Sequence, residues 1–441
     1  MFRNRHFLSL SGQVISGLLG FISFGIIARI SDKSSFGNWI VFITAYTFFE
    51  MLRNGMIQTS LVKFLAGSTP ENARKINGAG WFISLVFSFI YILTGLMLIR
   101  FHINDAGWLI FIRYGAISLL FSLPYNYAVW LLQVDFQFNR ILILRLLNQG
   151  SFVILLLAQV IFHHSSLKII LGSFIIANLI PGLISSFLGW NRFTDLFHTS
   201  KEAIQNMFHY GKYSMGTSVG SNLLKSSDTF IIQALMGPYF VALYTAPQKM
   251  LEIIEIPLRS FTATAIPLMA GYANKNDKPQ VSMVFEKYTG GISLMIIPFL
   301  LACMLFASFI MRILGGNAFA GTGSTLQIFM VYAFLMPLDR FLGISLDIMN
   351  KPALNFVKVM FMLGVNIAGD LFAIRYFHSI NIVALSSLFT FISGIIIGRL
   401  YLKKYLNFTF IGIFRRGIDL VKEYFGKMTK SLYVKDLKPR V

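Results

Sequence analysis

The stretch SLSGQVISGLLGFISFGIIARISDKSSFGNW, residues 9–39, returns at residues 214–244 as SMGTSVGSNLLKSSDTFIIQALMGPYFVALY. The shift is 205 residues, and seven of the 31 positions carry the same amino acid. At about 100° per residue, the polar positions of each copy fall within roughly 80° of one helix face. These positions are Ser9, Gln13, Ser16, Gly20 and Ser23 in the first copy and Ser214, Ser218, Ser221, Lys225 and Asp228 in the second. The sequence therefore predicts two similar halves, which is typical of a transporter with its pathway between the halves.

Composition excludes an ordinary soluble protein. Apolar residues make up 56% of the chain and charged residues 13%, and the mean hydropathy is +0.68. Apolar runs of about 20 residues, long enough to cross the hydrocarbon core of a bilayer, recur along almost the whole chain. We predict twelve membrane spans, at 7–30, 37–65, 78–99, 107–132, 140–162, 167–190, 208–236, 239–271, 289–312, 324–349, 353–377 and 380–402.

The distribution of Lys and Arg predicts the orientation of these spans. With the N-terminus placed in the cytoplasm and the loops alternating, 25 basic residues fall on the cytoplasmic side and six on the other. Because cytoplasmic loops carry the excess of Lys and Arg, both termini are expected to be cytoplasmic. Six spans in the first half give both halves the same orientation. The repeat is therefore parallel, with its axis along the membrane normal.

The expected fold is an all-α polytopic membrane protein with two parallel six-helix lobes around a central cavity. An N-lobe at 1–195 holds spans one to six, a C-lobe at 196–405 holds spans seven to twelve, and a basic cytoplasmic tail follows at 406–441. The tail mixes apolar and basic residues. It fits either an amphipathic helix on an anionic leaflet or a weakly ordered basic segment.

Ionisable residues inside the spans are the candidate functional residues, because each is costly in a bilayer unless it has a partner or meets water. Several form pairs of opposite charge one helical turn apart. The structural alternative is that these pairs only neutralise each other and hold helices together. Span eight also contains Pro247, Pro257 and Pro267, which predict a bent helix. The charged residues are Glu50 and Arg53 in span two, Lys225 and Asp228 in span seven, Lys249, Glu252, Glu255 and Arg259 in span eight, Asp339, Arg340 and Asp347 in span ten, and Asp370 in span eleven.

Other chemistries are not indicated. Cys303 is the single cysteine, which excludes an intramolecular disulfide and a Cys-based metal site. His163 and His164 have no Cys or carboxylate companion, and the glycine-rich segment 315–323 lacks the Lys-Ser/Thr of a phosphate-binding loop. No nucleophile and base are arranged for catalysis. We expect no enzymatic activity, no catalytic residue, no metal, no cofactor and no nucleic-acid partner.

Several short motifs lie at or near the ends of predicted spans. They are Ala28-Arg29-Ile30 followed by Phe36-Gly37, Asp228-Thr229-Phe230-Ile231-Ile232 leading to Gly237-Pro238 and Leu243-Tyr244, Ile266-Pro267, and Gly316 through Leu326. On these motifs the chain resembles an O-antigen or lipopolysaccharide-type oligosaccharide flippase, over about residues 5–405. Such flippases form the polysaccharide-transporter branch of the multidrug/oligosaccharidyl-lipid/polysaccharide (MOP) exporter superfamily. Arg53-Asn54-Gly55 stands where many members have Asp-x-Gly. Whether the first half has an acidic coupling site is therefore left open.

The resemblance implies a MATE-like fold and transport of a polyprenyl-diphosphate-linked oligosaccharide across the bacterial inner membrane by alternating access. The process served would be surface polysaccharide or lipopolysaccharide biosynthesis. The implied partners are the lipid-linked glycan and membrane lipid, with polysaccharide polymerase or ligase machinery as further candidates.

The residue types fit this cargo, because Arg and Lys bind diphosphate through charge-assisted hydrogen bonds and hydroxyl or amide side chains bind sugars. The cationic candidates are Arg29, Arg53, Lys225, Lys249, Arg259 and Arg340. The polar stripe is Ser9, Gln13, Ser16, Ser214, Thr217, Ser218, Ser221 and Asn222. The candidates for ion coupling or charge balance are Glu50, Asp228, Glu252, Glu255, Asp339 and Asp370.

Two other functions stay open. A cation-coupled multidrug exporter of the same fold would need an acid-dominated cavity, whereas the predicted spans hold as many bases as acids. A membrane-embedded glycosyltransferase or ligase would need carboxylates on a substantial external loop, and the predicted external loops have roughly 4–12 residues. Within the repeat, Lys225 and Asp228 replace Gly20 and Ser23. This mismatch predicts a headgroup site in the second half.

Overall fold

A computed structural model describes residues 2–65, 68–100 and 106–436. Within these residues the chain forms fifteen α-helices, with short 3-10 helices at Phe193–His198 and Asn317–Thr322. The α-helices are α1 (Phe2–Ile30), α2 (Lys33–Leu65), α3 (Pro70–Arg100), α4 (Ala106–Val134), α5 (Phe138–Ile161), α6 (Leu167–Phe187), α7 (Lys201–Met236), α8 (Pro238–Gln248), α9 (Leu251–Asn274), α10 (Lys278–Leu305), α11 (Ala307–Gly315), α12 (Gly323–Ile348), α13 (Pro352–Phe377), α14 (Ile380–Leu402) and α15 (Phe410–Asp436).

Each of the twelve predicted spans corresponds to helix. Ten of them match a single helix, and spans eight and nine are each built from two, α8 with α9 and α10 with α11. Among the described residues, nine helical segments are long and apolar enough to cross a membrane. The predicted tail contains the helix α15, and its placement on a membrane surface stays a prediction.

The predicted bend in span eight is a helix break at Lys249 and Met250. Pro247 has no amide hydrogen, so it cannot complete the usual bond to the preceding turn. The backbone tightens instead: the amide of Met250 donates to the carbonyl of Pro247 at 3.1 Å, and that of Ile253 to the carbonyl of Met250 at 3.2 Å. The break thus begins two residues after the first proline of the series, whereas Pro257 and Pro267 lie inside α9.

The helices group into two compact units. Unit 1 consists of Met1–Thr245 with Leu314–Ala318, and unit 2 of Ala246–Ile313 with Phe319–Val441. These units divide the chain at a later residue than the lobes expected from the sequence, because α7 packs against α2 and α3. The expected lobe boundary stays a prediction.

Unit 1 is organised around α2, which packs against α3, α4 and α7. Between α3 and α4, the rings of Trp81 and Tyr127 stack with centroids 4.3 Å apart. The indole of Trp81 donates to the carbonyl of Asn191 at 2.9 Å, and the hydroxyl of Tyr127 donates to the carbonyl of Asn77 at 2.7 Å. Their polar tips are thus satisfied while their rings fill the core.

The start of α2 is fixed by a cap and by a close backbone approach. The amides of Ser34 and Ser35 both donate to Oδ1 of Asp32 at 2.9 Å. The hydroxyl and amide of Ser35 hold the pKa of Asp32 below its ordinary value. A Cβ atom at Gly37 would overlap the carbonyl oxygen of Pro238, at the start of α8. Two motif pieces about 200 residues apart in the chain, Phe36-Gly37 and Gly237-Pro238, therefore meet in unit 1.

Replacing Gly37 by alanine is expected to destabilise the protein by about 1–3 kcal/mol, because the added methyl group meets backbone that no rotamer change can move. Thermal unfolding of the purified protein in a neutral detergent measures the effect. Gly20→Ala in α1 is the matched control, since nothing lies within 4 Å of its Cβ position. An equal shift of the unfolding midpoint in the two variants would show that the close contact of Gly37 with Pro238 does not limit stability.

Unit 2 contains α9, α10 and α12 to α15, and α10 packs against α9, α12 and α15. The contact between α10 and α15 needs glycine on both sides, because a Cβ at Gly290 would overlap the carbonyl oxygen of Ile413 and a Cβ at Gly417 would crowd the backbone of Gly290. Two ion pairs flank this contact: Lys287 with Glu423 at 2.7 Å and Arg416 with Glu286 at 3.3 Å. The first half of α15 is thus docked on α10.

Candidate functional site

In unit 1, Glu50 and Arg53 form a buried ion pair one turn apart on α2. The Arg53 guanidinium, 3% exposed, also donates to the carbonyl of Leu119 at 2.9 Å and to the hydroxyl oxygen of Ser122 at 3.1 Å. The Ser122 hydroxyl in turn donates to Oε1 of Glu50 at 2.6 Å. Arg53 also reaches Ser88 of α3. The pair therefore connects α2 to α3 and α4.

In unit 2, the repeat places Glu255 at the position of Glu50, and Glu255 also holds an arginine. Its partner is Arg259, one turn further along α9. Unlike Arg53, Arg259 is 63% exposed. Lys249, at the break before α9, forms a similar pair with Glu252 at 2.7 Å. Each half thus carries an acid–arginine pair that begins at the same repeat position, buried on α2 with the arginine at i+3 and exposed on α9 with the arginine at i+4.

On α7, Asp228 is buried and accepts a hydrogen bond from the hydroxyl of Tyr244 in α8. Lys225, one turn earlier, is exposed. Arg29, in the last turn of α1, is also exposed. Both of these candidate cations are therefore exposed, whereas the carboxylates of Glu50 and Asp228 are buried.

In unit 2, Lys358 of α13 is buried, as Arg53 is in unit 1, and its side chain is 2% exposed. Its ammonium group donates to Oδ1 of Asp339 at 2.6 Å and to the carbonyl of the same residue at 3.2 Å. Asp370 is fully buried and accepts from the hydroxyl of Ser386 at 2.7 Å. Arg340, adjacent to Asp339 in the chain, is exposed.

Only part of the predicted polar stripe lies within the described residues. Ser16 is half-buried and Asn222 is buried. The other members have side chains outside the described residues: Ser9, Gln13, Ser214, Thr217, Ser218 and Ser221.

The predicted cations therefore fall into two groups. Arg53 is buried and already neutralised, and the unpredicted Lys358 belongs with it. Arg29, Lys225, Arg259 and Arg340 are exposed, and Lys249 is partly so. The pairs of the first group connect helices, whereas the exposed cations are able to contact an anionic ligand.

Among the described residues, several side chains that contact the predicted charges are not indicated by the sequence interpretation, and they include Lys358, Tyr244, Ser122 and Ser386. Lys358 lies within the predicted span 353–377, and this position in an apolar run is the signal that could have indicated it. Tyr244 lies in one of the motifs. Ser122 and Ser386 gave no signal, because a serine in an apolar run is common and its partner is far away in the sequence.

The fold is that of MOP superfamily transporters. The chain is similar to the inward-facing conformation of a multidrug resistance MATE family transporter, with a TM-score of 0.72 and 13% identity, over 88% of this chain and 95% of that one. It is also similar to the lipid II flippase MurJ in its inward closed conformation, with a TM-score of 0.70 and 13% identity, over 98% and 94%. These similarities confirm the all-helical, MATE-like fold class that the sequence predicts.

A family model described as polysaccharide biosynthesis protein matches residues 3–273. The chain belongs to this family, which confirms the resemblance seen in the motifs. A probable low-salt glycan biosynthesis flippase, Agl15 of Haloferax volcanii, is 22% identical over 239 residues. That alignment spans 54% of this chain and 50% of the relative.

Proposed function

We propose that the protein is a flippase that moves a polyprenyl-diphosphate-linked oligosaccharide across a bacterial inner membrane, with both termini in the cytoplasm. The observation that carries the proposal is the exposed Arg259, about a third of the way along the membrane-length helix α9. An exposed guanidinium at such a position is stable where water or an anion meets it. Diphosphate supplies an anion with the geometry that arginine binds best.

The contrast between the two halves of the repeat supports this assignment. Arg53 already donates to Glu50, Ser122 and Leu119 and is 3% exposed, so almost none of its surface is open to cargo. Arg259 keeps most of its surface open while Glu255 holds its orientation. Lys225 on α7 adds a second exposed cation near buried Asp228. Arg259 in unit 2 and Lys225 in unit 1 are therefore each proposed to contact the anionic headgroup, and Arg29, Lys249 and Arg340 are further cationic candidates.

Membership of the polysaccharide biosynthesis family supports a glycan cargo. The hydroxyl and amide groups of the stripe suit sugar hydroxyls, and acidic residues such as Asp228 and Asp370 are assigned to ion coupling or charge balance. The transported glycan would then serve a polymerase or ligase on the outer side, in surface polysaccharide or lipopolysaccharide synthesis.

The direct test is glycan sidedness in proteoliposomes that contain a polyprenyl-diphosphate-linked oligosaccharide, read out with a lectin that reaches only the outer leaflet. The purified protein is expected to equilibrate the glycan between leaflets. No change in sidedness would reject the flippase assignment. Extrusion of a cationic dye by the same protein, without glycan movement, would favour a multidrug exporter instead.

Arg259→Ala and Lys225→Ala are each expected to slow glycan movement about tenfold or more, because a hydrogen bond to a charged group contributes about 1.5–3 kcal/mol. Protein abundance should not change, since both side chains are exposed. Arg259→Lys keeps the charge and should retain part of the activity. Arg312→Ala removes another exposed arginine of unit 2 and serves as the control. Wild-type rates in both alanine variants would remove this site assignment.

A further inference from the structure

A cavity of about 500 Å³ lies in unit 2, away from the charges of α9. The first turns of α10 form one wall, and the segment between α14 and α15, together with the first turns of α15, forms the other. Its volume is within the range of sites that hold small molecules and headgroups. The charge distribution of the sequence places this end of the unit on the cytoplasmic side.

The lining of this cavity is basic. Lys278, Arg415 and Arg416 face a single carboxylate, that of Glu286. Both carboxylate oxygens of Glu286 have partners: one accepts a hydrogen bond from the amide of Thr409 at 2.8 Å, and the other pairs with Arg416 at 3.3 Å. In the part of the chain that the structure describes, neither Lys278 nor Arg415 forms an ion pair. The cavity therefore carries an excess of positive charge suited to an anion.

The start of α15 adds to this field. The hydroxyl oxygen of Thr409 accepts the amide of Gly412 at 2.9 Å and so caps the helix. Gly412 lines the cavity, which places the positive end of the helix dipole at its wall. Tyr405 and Asn407 contribute polar groups from the preceding segment. Asp277, the cap of α10, points its carboxylate at the amide of Gln280 at 3.2 Å and is not part of the lining.

Exposed apolar side chains next to the cavity indicate the source of the anion. Ile411 is 81% exposed and Phe414 is 59% exposed, on the same turns of α15 that carry Arg415 and Arg416. Apolar side chains beside a basic cluster are typical of a helix in the interface of a membrane, where acyl chains cover the apolar face and headgroups meet the cations. A soluble phosphate would leave Ile411 and Phe414 in water.

We propose that this cavity binds the phosphate group of an anionic phospholipid of the cytoplasmic leaflet, held by Lys278 and Arg415. The site is separate from the transport residues and does not depend on the proposed cargo. Arg416 and Glu286 form part of the cavity wall and are not assigned to phosphate binding, because they pair with each other. Bound lipid would fasten the start of α15 to α10 at the membrane surface.

Thermal unfolding of the full-length protein in neutral detergent tests the proposal, because a ligand that binds the folded state raises the midpoint. Three probes are titrated: dioctanoyl phosphatidylglycerol, dioctanoyl phosphatidylcholine and inorganic phosphate. We expect phosphatidylglycerol to raise the midpoint and the other two to have no comparable effect. An equal shift with phosphatidylcholine would overturn the anionic site, and an equal shift with inorganic phosphate would overturn the lipid source.

The variant Lys278→Gln/Arg415→Gln is expected to bind phosphatidylglycerol at least about tenfold more weakly, through the loss of two charged hydrogen-bond donors. The matched control is Lys275→Gln/Lys404→Gln, which removes the same charge from exposed residues outside the lining. It should keep its affinity within about twofold. Equal weakening of both variants would overturn the site in favour of general surface charge. The comparison of the three probes on the wild type decides the question even where a variant fails to fold.

Discussion

Replacing Arg53 by alanine is expected to lower the free energy of unfolding by about 3–5 kcal/mol, the cost of leaving a buried charge without its partner. The side chain donates hydrogen bonds to Glu50, Leu119 and Ser122, on α2 and α4. Without it, the Glu50 carboxylate keeps only the Ser122 hydroxyl among these contacts. Thermal or denaturant unfolding in detergent, followed by tryptophan fluorescence, measures the loss.

The double variant Glu50→Gln/Arg53→Met should recover much of this stability. Neutral side chains of similar length remove the desolvation cost of both ions, and replacement of buried pairs by such residues is often neutral or stabilising. Lys75→Ala is the control, because Lys75 pairs with Glu71 in an exposed setting and should cost no more than about 1 kcal/mol. A loss below that level for Arg53→Ala would contradict the buried arrangement.

Replacing Lys358 by methionine is expected to have the second large effect on stability, about 3–5 kcal/mol. Methionine fills nearly the same volume, so the change isolates the charge. Asp339 would then lose both the ammonium group and its bond to the backbone carbonyl. The cost should lie at the lower end of this range, because Asp339 is more exposed than Lys358 and water can reach part of its carboxylate.

A double-mutant cycle with Asp339→Asn measures the coupling of this pair directly. We expect the double variant to be destabilised by less than the sum of the two single variants, since removal of both partners leaves no unpaired charge. The pair of Lys249 and Glu252 gives the contrast, as both side chains have access to solvent. Its coupling should be about 1 kcal/mol or less. Equal coupling in the two pairs would contradict the burial of Lys358.

Much of the helical fold could be predicted from the sequence, because the length of the apolar runs indicates where membrane-length helices lie. The orientation that the loop charges predict stays a prediction. The boundaries at α13 and α14 agree with the predicted spans to within one residue. Span nine was harder, since α10 begins at Lys278, eleven residues before the predicted start at 289. Its first turns are polar and extend beyond the apolar run, so hydropathy alone does not detect them.

The candidate site was less accessible to sequence reasoning. Pairs within one helix, such as Glu255 with Arg259, follow from their spacing. Pairs between helices depend on helix rotation and depth, which the pattern does not specify. Lys358 shows the consequence, because packing places it against Asp339, 19 residues earlier, and no spacing within one helix indicates that pair. Exposure also could not be foreseen, although it is what distinguishes Arg53 from Arg259.

The contact of Gly37 with Pro238 has a consequence for how these chains tolerate change over generations. A clash between two side chains can be relieved by trimming either one, so each position has many permitted combinations. Here the obstacle is a carbonyl oxygen, which every amino acid at position 238 supplies in the same place. A second substitution at position 238 therefore cannot relieve the clash. A chain that has lost glycine at position 37 is expected to recover mainly by reversion to glycine.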